Sequence, residues 1–421
     1  MAAKHEIVVM KFGGTSVAGP EHILGAARRI VEARNRGKGV VAVLSARGET
    51  TDELLRMATE ISPLPEPREL DMLLSTGERI SCALCAMAIH DLGSEAISLS
   101  GSQAGIVTDT SHTKARIVEV RGDRIREALD AGKIVLVAGF QGVSTSREVT
   151  TLGRGGSDTT AVALAAALAA EICEIYTDVE GVFSADPRIV PSARKLPYVS
   201  FEEMLEMSSS GAKVLQLRSV EYARNYHVRI NVRPSFGDGS GTLVLPEDET
   251  MERPLVTAVT HSTEDARVTL TGVPDEPGIA GRIFSALADA DINVDMIIQN
   301  EPISTGHKAE LSFTLPKADL ATARRTLEGL ATELGLERVV ADEKMGTVSL
   351  VGAGMRSHPG VAAKVFQTLG EQAINIEMIS TSPIKISCAI RADRVPQAVK
   401  ILHEAFGLDT AGAKAEAEEA A

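Results

Sequence analysis

A lysine followed by paired glycines stands directly after the first strand-like segment of the chain. This first glycine loop is Lys11-Phe12-Gly13-Gly14-Thr15-Ser16, and it follows the apolar residues Ile7–Met10. Paired glycines let backbone N–H groups approach an anion closely, and the positive end of the next helix adds to the attraction. Lys11 supplies a point charge beside them. The loop could therefore bind phosphate, although a tight strand–helix turn with a surface lysine fits the same residues equally well.

The second glycine loop, Gly153-Arg154-Gly155-Gly156-Ser157-Asp158, opens a predicted helix. Asp158 could simply cap that helix. An arginine among three glycines is unusual for structure alone, because an exposed guanidinium suits bidentate capture of a carboxylate or a phosphate. We therefore interpret Arg154 as a ligand-binding residue.

Polar residues also follow the second predicted strand and interrupt a helical run. Ser45 ends that strand, and Thr51 lies where the next helix begins. Ligands collect at the carboxyl ends of parallel strands, so both are candidates for a site. Glu78, in the segment Thr76-Gly77-Glu78-Arg79, could be a solvated face residue or a ligand for an ammonium group.

Two later segments are also dense in polar residues. The stretch from Tyr176 to Arg188 follows a strand and could be a plain surface loop or part of a site. The segment Gly211-Ala212-Lys213 is predicted to begin a helix, where a lysine is unfavourable for the helix dipole unless an anion binds there. Lys213 is therefore a further candidate.

The elements that must position these residues alternate between strand and helix along residues 1–246. This alternation predicts an α/β fold with a mostly parallel sheet covered by helices on both faces. The predicted strands are Ile7–Met10, Val40–Leu44, Ala96–Leu99, Ile134–Ala138, Ile172–Tyr176 and Arg229–Val232. The predicted helices are Glu21–Asn35, Thr51–Ile61, a long one from about Arg68 to Leu92, Asp123–Ala131, Thr159–Ala170, Phe201–Met207 and Ala212–Tyr226.

Beyond a Pro-rich and acidic break, the chain repeats itself. The pattern Leu-Thr-Gly from Leu270 returns as Leu-Val-Gly from Leu350, and both copies continue with Pro-Gly, a helical segment and Ile-Asn. Two copies predict a paired α+β module rather than a solenoid. We divide the chain into a first domain (1–246), a linker with the first strand of the next region (247–265), two repeats (266–345 and 346–410) and a disordered tail (411–421).

Composition excludes several classes of partner. The 421 residues carry 57 acidic and 43 basic side chains, a formal net charge of −14. Such an acidic chain is not expected to bind nucleic acid or an anionic membrane. No secretory signal is visible, and the longest smooth apolar run, Ala161–Ala170, is too short to span a bilayer. Four cysteines without a second CxxC predict free thiols and a cytoplasmic location.

The sequence contains neither a Walker A pattern nor a GxGxxG after a strand, so it does not match the usual P-loop and dinucleotide-binding motifs.

Six motifs, which occur in the same order along the chain, resemble those of the aspartokinases in the amino acid kinase superfamily. The motifs are KFGGTS, LSA with TTDELL, TGERIS, TTLGRGGSDTTA, YTDVEGVFSADPR and GAKVLQLRS, and the repeat resembles the tandem ferredoxin-like ACT domains of that family. The resemblance implies phosphoryl transfer from ATP to L-aspartate, giving 4-phospho-L-aspartate, the first step of lysine, threonine and methionine (diaminopimelate) biosynthesis.

The resemblance also implies roles for individual residues. Lys11, Asp158 and Lys213 would be catalytic, with the two lysines on the transferring phosphoryl group and Asp158 orienting them. Aspartate would contact Thr51, Glu78, Arg154, Gly155 and Gly156. The ATP site would comprise Lys11, Phe12, Gly13, Gly14, Ser45, Ser157, Thr177, Asp178, Phe183, Asp186, Arg188 and Lys213. The family often has tyrosine at the position of Phe183. Mg²⁺ would be bound through ATP, with no metal ligand assigned to a protein side chain.

The repeats would bind lysine, threonine or both as feedback effectors. The first copy would contribute Asp275, Gly278, Ile279, Ala280, Asn293, Val294, Asp295 and Gln299. The second copy would contribute Val361, Ala362, Asn375, Ile376, Ser382 and Pro383. Residues 301–307 depart from the usual sequence of the short two-ACT members. The same resemblance predicts a homo-oligomer formed through the ACT domains, or an α2β2 assembly whose β chain starts near Met251.

Two other readings compete with an aspartate kinase. One is a kinase of the same superfamily for glutamate, N-acetylglutamate or UMP, but those lack tandem ACT copies, and Glu78 as an ammonium ligand does not suit an N-acetylated acceptor. The other is a non-catalytic amino-acid sensor. A sensor predicts damaged kinase loops, yet the four residues that those loops need are all present: Lys11, Arg154, Asp158 and Lys213.

Overall fold

The computed structural model describes residues 6–247, 255–300 and 308–409. The described chain forms two compact units. The first comprises residues 6–182, 195–208 and 213–247, and the second comprises residues 183–194, 209–212, 255–300 and 308–409. The proposed start at Met251, the segment 301–307 and the tail 411–421 lie outside the described residues.

The first unit contains twelve strands and eight helices among its described residues. The strands are β1 (Ile7–Phe12), β2 (Gly39–Leu44), β3 (Ala96–Leu99), β4 (Ile106–Thr108), β5 (Ile117–Val120), β6 (Ile134–Ala138), β7 (Gln141–Ser144), β8 (Val149–Thr151), β9 (Ile172–Thr177), β10 (Tyr198–Ser200), β11 (Ile230–Pro234) and β12 (Thr242–Leu245). The helices are α1 (Pro20–Asn35), α2 (Thr50–Ile61), α3 (Pro67–Leu74), α4 (Thr76–Asp91), α5 (Asp123–Asp130), α6 (Gly156–Leu168), α7 (Phe201–Ser209) and α8 (Leu217–Tyr226).

An eight-stranded sheet organises this unit, in the order β10-β12-β11-β9-β1-β2-β6-β3. Every neighbouring pair is parallel except β11 with β12. The apolar faces of α1 and α4 pack on one side of the sheet, and α6 contacts β1, β2 and β9. All six residues of β2 are buried, as expected for a parallel strand covered on both faces. The predicted fold class is confirmed.

A second sheet, in the order β5-β4-β7-β8, was not predicted. Its strands are three or four residues long, and β7 and β8 contain mainly polar residues and glycine. Such short segments lack the apolar run or strict alternation from which a strand is recognised.

Two predicted helices differ in the structure. The long helix from Arg68 to Leu92 is interrupted at Ser75 and forms α3 and α4. The predicted helix Ala212–Tyr226 begins only at Leu217, so Lys213 precedes the helix in irregular chain. The prediction that Lys213 lies in a first helical turn is therefore wrong, and the argument from the helix dipole does not apply.

The run Pro67–Asp91 has the length and hydropathy of a membrane-spanning helix, alone among the helices of the described ranges. Half of its most apolar window is buried inside the fold. Residues Cys82, Cys85 and Ile89 of α4 belong to the core beneath the sheet. Core helices of globular proteins pass the same test, so the run is weak evidence for a membrane span.

The second unit contains two four-stranded antiparallel sheets with the same arrangement. Its strands are β13 (Ala258–Ser262), β14 (Asp265–Pro274), β15 (Ile297–Asn300), β16 (Lys308–Pro316), β17 (Arg338–Asp342), β18 (Met345–Val351), β19 (Met378–Ser382) and β20 (Lys385–Arg391). Its helices are α9 (Ile279–Asp289), α10 (Leu320–Leu334), α11 (Val361–Glu371) and α12 (Val395–Ala405). The first sheet has the order β15-β16-β14-β17, and the second has the order β19-β20-β18-β13.

The fourth strand of each sheet comes from a different place in the chain. In the first repeat β17 follows α10, whereas in the second repeat β13 precedes the whole first repeat. The second sheet therefore closes only after the chain has completed the first repeat. Ion pairs join the repeats, with Arg267 2.9 Å from Glu377 and Arg391 2.8 Å from Asp342.

The segment 183–194 belongs to the second unit, although a boundary at residue 246 would place it in the first. Ala185 and Val190 pack into the core of the second repeat. The hydroxyl of Ser184 lies 2.9 Å from Nε2 of the buried His403 on α12. Because these contacts join residues that are far apart in the sequence, no local sequence pattern predicts them.

Candidate active site

Four adjacent parallel strands end together and place the candidate residues at one edge of the large sheet. The strands are β9, β1, β2 and β6. The chain continues the sheet pairing just past their ends. Gly13 N donates to Tyr176 O at 3.2 Å, and Ser45 N donates to Phe12 O at 3.1 Å. Gly139 N donates to Leu44 O at 3.0 Å. The first glycine loop is therefore anchored between its neighbours.

Lys11 and Asp158 form a nearly buried ion pair at this edge. Lys11 Nζ lies 2.6 Å from Asp158 Oδ1, and the two side chains are 12% and 9% exposed. Lys11 comes from β1, whereas Asp158 comes from the first turn of α6. The helix can approach this closely because residue 139 is glycine; a Cβ there would lie 2.7 Å from Ser157 Oγ. The two glycine loops thus meet through one ion pair.

The backbone of the first glycine loop is held tightly. Gly48 N donates to Gly14 O at 3.0 Å. A Cβ on Gly14 would lie 3.0 Å from Ala46 O and 3.1 Å from Gly48 O. Below the loop, the rings of Phe12 and Tyr176 stack with centroids 4.7 Å apart. The loop therefore has little freedom before any ligand binds.

Glu78 is a buried carboxylate with one unused oxygen. It lies in the first turn of α4 and is 3% exposed. Oε1 accepts from Ala46 N at 3.3 Å, while Oε2 has no hydrogen-bond partner in the part of the chain that the structure describes. Burial raises the pKa of Glu78 to about 7. A carboxylate that is costly to bury and only half satisfied is suited to a cationic ligand.

Arg154 is exposed, and no hydrogen bond or ion pair joins it to residues 6–247, 255–300 or 308–409. It lies between two glycines with left-handed backbones, Gly153 (φ +75°) and Gly155 (φ +71°). Gly156 and Ser157 follow in the first turn of α6. Thr51 is half-buried in the first turn of α2. The second glycine loop therefore presents an uncommitted guanidinium beside a helix N-terminus.

The other predicted nucleotide-binding residues are divided between the two units. Phe183, Asp186 and Arg188 belong to the second unit, where Arg188 lies 2.7 Å from Asp186 and lowers the pKa of that carboxyl through their hydrogen bond. Lys213 is exposed in the segment before α8. Thr177 ends β9, and its hydroxyl donates to Asp178 at 3.1 Å.

Four predicted effector positions of the first repeat have equivalents in the predicted set of the second: Ile279 and Val361, Ala280 and Ala362, Asn293 and Asn375, and Val294 and Ile376. Gly278 (φ +96°) and Gly360 (φ +98°) each precede a helix, so Ile279 and Val361 begin α9 and α11. The strand β15 begins only at Ile297, so Asn293, Val294 and Asp295 precede it. The remaining residues are Asp275, Ala280, Asn293, Val294, Asp295 and Gln299 in the first repeat, and Ala362, Asn375, Ile376, Ser382 and Pro383 in the second.

Sequence analysis did not single out two residues of this unit, Gly139 and Asp71. Gly139 directly follows the predicted strand Ile134–Ala138, and its place at a strand end was a usable signal. Asp71 is fully buried on α3, but nothing in its sequence surroundings distinguishes it from an exposed helical acid. No cluster of three or more metal-binding side chains occurs within residues 6–247, 255–300 and 308–409.

Comparisons with known proteins agree with this architecture. The amino acid kinase family matches residues 6–233, and the ACT domain matches residues 268–329 and 348–406. An aspartokinase of Mycolicibacterium smegmatis is 55% identical over 405 residues, which cover 96% of each chain. An aspartokinase of Corynebacterium glutamicum is 52% identical over the same share of both chains.

Solved structures extend the comparison. E. coli aspartokinase III in complex with aspartate and ADP (R-state) has a TM-score of 0.81 at 26% identity, covering 95% of this chain and 99% of that one. The same protein in complex with lysine and aspartate (T-state) has a TM-score of 0.73, with the same identity and coverage. The resemblance inferred from the motifs is confirmed, and the chain belongs to the aspartokinase family of aspartate kinases.

Proposed function

We propose that this chain phosphorylates the β-carboxylate of L-aspartate with MgATP between its two glycine loops. The observation that carries the proposal is the Lys11–Asp158 ion pair at the ends of parallel strands, together with buried Glu78, which accepts from Ala46 N just after the end of β2. The pair supplies a fixed cation for phosphate. Glu78 and Arg154 supply opposite charges for an amino acid.

Lys11 acts on the transferring phosphoryl group. Asp158 holds its ammonium in place, so little reorganisation is needed as charge develops on the phosphate oxygens. Backbone amides of Gly13 and Gly14 and the hydroxyls of Ser45 and Ser157 complete the phosphate contacts. Mg²⁺, when bound, would be held by the phosphates of ATP and would neutralise part of their charge. No protein carboxylate is assigned to it, because Asp158 is already paired with Lys11.

The acceptor is held by charge. Arg154 binds the α-carboxylate in a bidentate manner, with Gly155 and Gly156 beside it, while Thr51 contributes a hydroxyl. Glu78 accepts from the α-ammonium through its unused Oε2. The β-carboxylate is already ionised at neutral pH, so no general base is required, and alignment with the phosphate is the main task of the protein.

The nucleotide contacts Thr177 and Asp178 at the end of β9, together with Phe183, Asp186 and Arg188. Lys213 reaches the phosphates from the side opposite Lys11. We assign these roles from the motifs YTDVEGVFSADPR and GAKVLQLRS. The motif carries the assignment of Phe183, Asp186 and Arg188, because these residues belong to a different unit from Lys11.

The repeats bind lysine, threonine or both at the effector residues named above, and thereby inhibit the kinase. Support comes from the lysine complex of E. coli aspartokinase III. We further propose a homo-oligomer through the ACT domains, or an α2β2 assembly with a β chain starting at Met251. The enzyme acts in the cytoplasm at the first step of lysine, threonine and methionine synthesis.

Hydroxylamine trapping tests the acceptor directly, because an acyl phosphate yields a hydroxamate. We expect hydroxamate with ATP and L-aspartate, and none with glutamate or N-acetylglutamate. Hydroxamate with glutamate alone would overturn the acceptor assignment, and ATP-independent amino-acid binding without any hydroxamate would identify a sensor.

Regulation and assembly need separate measurements. Lysine and threonine, alone and together, are added to the same assay, and absence of inhibition would remove the effector assignment. Mass spectrometry of the native protein tests the β chain. A single full-length species would exclude a start at Met251.

A further inference from the structure

Asp71 on α3 is a fully buried carboxylate that the roles proposed above do not use. Thr113 N donates to both of its oxygens at 3.1 Å, and the Thr151 hydroxyl donates to Oδ1 at 2.6 Å. His112 Nδ1 lies 2.7 Å from Oδ2. Such a group is costly to bury, so its retention with a full set of partners indicates that it holds surrounding chain in place.

The first segment that Asp71 holds is the loop containing His112 and Thr113. Thr113 has a left-handed backbone with φ +66°, which a β-branched residue rarely adopts. Strained residues of this kind persist only where their surroundings over-determine them. The paired hydrogen bonds from Thr113 N to the carboxylate provide that constraint.

The second segment is the glycine loop with Arg154. Thr151, which binds Asp71, precedes that loop, and its carbonyl accepts from Ala115 N at 2.9 Å. Gly153 packs so closely that a Cβ would lie 3.1 Å from Thr113 O. The second glycine loop thus packs directly against the strained loop that contains Thr113.

A half-buried arginine joins the same two segments from the other side. The guanidinium of Arg218, on α8, donates to Leu152 O at 2.9 Å and to Ala115 O at 2.8 Å. Arg154 itself makes no such contact with the described chain. Its position therefore depends on the backbone beneath it, and that backbone is tied to Asp71.

Asp71 is also connected to the helix that carries Glu78. Ser75 N donates to Asp71 O at 3.0 Å, and Ser75 O accepts from Gln141 Nε2 at 2.7 Å at the junction of α3 and α4. Glu78 follows one turn later. The side chain of Asp71 is thus hydrogen-bonded to Thr151, which precedes the Arg154 loop. Its backbone carbonyl is hydrogen-bonded to Ser75, three residues before Glu78.

We propose that Asp71 is a positioning residue that sets the spacing between Arg154 and Glu78 for the acceptor amino acid. This inference rests on the proposed roles of Arg154 and Glu78. It assigns to Asp71, through Thr113 and Thr151, the alignment of the α-carboxylate site with the α-ammonium site. A small displacement of either group weakens binding of a ligand that must satisfy both at once.

The test compares D71N and the matched pair T151V and T151S. Asn places an NH₂ group where one carboxylate oxygen accepted hydrogen bonds, and Val removes the Thr151 hydroxyl at similar volume, whereas Ser keeps it. We expect the KM for aspartate to rise about tenfold in D71N and about threefold in T151V, with T151S and the KM for ATP within about twofold of wild type.

E203Q is the matched control for D71N. Glu203 is another buried carboxylate, and it accepts from the N–H and the hydroxyl of Ser200, the last residue of β10. The strand β10 lies at the opposite edge of the sheet from β3. We expect E203Q to lower the unfolding midpoint without changing the KM for aspartate. Loss of stability in D71N and T151V with an unchanged KM would reduce Asp71 to a structural residue and overturn the proposal.

Two further results separate this inference from the proposed function. If R154A and E78Q leave the KM for aspartate unchanged, the acceptor assignment itself is wrong. If those two variants raise it and T151V does not, the assignment stands and the positioning role fails. Should D71N not fold, the pair T151V and T151S decides.

Discussion

The two glycine loops differ in how far their cations are committed before a ligand arrives. Lys11 is nearly buried and paired with Asp158 at 2.6 Å, and its loop is fixed by backbone hydrogen bonds on both sides. Arg154 is exposed and unpaired within the described chain. The difference separates two tasks. A fixed cation stabilises charge that develops during reaction, whereas a free one gains its partner when the substrate binds.

Removal of the fixed cation is expected to have the largest effect. K11A should lower kcat by about 10³-fold, because a preorganised charge at the transferring group is lost. It should also lower the free energy of unfolding by about 3 kcal/mol, since Asp158 is left buried without its partner. Hydroxamate formation and urea unfolding measure the two effects.

The double variant K11M/D158N controls for the buried charge. With neither charge present, its free energy of unfolding should return towards that of the wild type, while kcat stays low. A K11A enzyme with kcat within tenfold of wild type would contradict the catalytic role of the first glycine loop.

Removal of the free cation should affect binding instead. R154A should raise the KM for aspartate by about 10- to 100-fold, the range expected for losing hydrogen bonds between charged groups. Its free energy of unfolding should change by less than about 0.5 kcal/mol, because an exposed side chain without partners is removed. R154K should recover part of the affinity, since lysine keeps the charge but not the bidentate geometry. A large stability loss in R154A would show that the loop is structural.

Glu78 is expected to make the KM for aspartate depend on pH. With its pKa raised to about 7, its carboxylate form increases as pH rises through neutrality, so the KM for aspartate should fall between about pH 6 and about pH 8. E78Q should remove this dependence and raise the KM about tenfold at the upper pH. A pH profile of the KM in both enzymes measures the effect, and an unchanged profile in E78Q would exclude Glu78 as its source.

The same shift has a consequence for stability. The pKa of Glu78 in the folded protein lies above its ordinary value of 4.5, so the folded state binds the proton more tightly than the unfolded state. The stabilisation that this proton provides is complete below about pH 4.5 and is lost as pH rises towards about 7. The wild type should therefore lose up to about 3 kcal/mol relative to E78Q across this interval. Urea unfolding of both proteins at the two ends of the interval tests the sign.

The smallest expected effects compare the glycines themselves. G155A should lower the free energy of unfolding by about 1–3 kcal/mol, because φ is +71° and the new Cβ would lie 2.0 Å from Gln216 Cγ. G14A should cost about 1 kcal/mol through its contact with Ala46 O. G13A is the control, since its Cβ would meet no atom closer than Lys11 Nζ at 3.5 Å. An equal loss in the free energy of unfolding in G155A, G14A and G13A would contradict the claim that close packing requires glycine at residues 155 and 14 but not at residue 13.

Much of the site is predictable from the sequence because its residues lie at strand ends, in glycine loops and at helix starts, where ligands commonly bind. Lys11 lies next to the last residue of β1, and Ser45 directly follows β2. Arg154 lies in a glycine loop and Asp158 in the first turn of a helix, so a parallel sheet brings them to one edge. Lys213 was misplaced because helix propensity extended the predicted helix beyond its true start at Leu217. Tertiary contacts override such weak local preferences.

The amino-acid sequence by itself determined the α/β alternation, the repeat and the two glycine loops, because periodicity and glycine conformation are local properties. Only the tertiary structure decided that Lys11 meets Asp158, that β13 completes the sheet of the second repeat, and that segment 183–194 packs with that repeat. These pairings join residues far apart in the chain. They depend on which surfaces are buried together, and no window along the sequence contains that information.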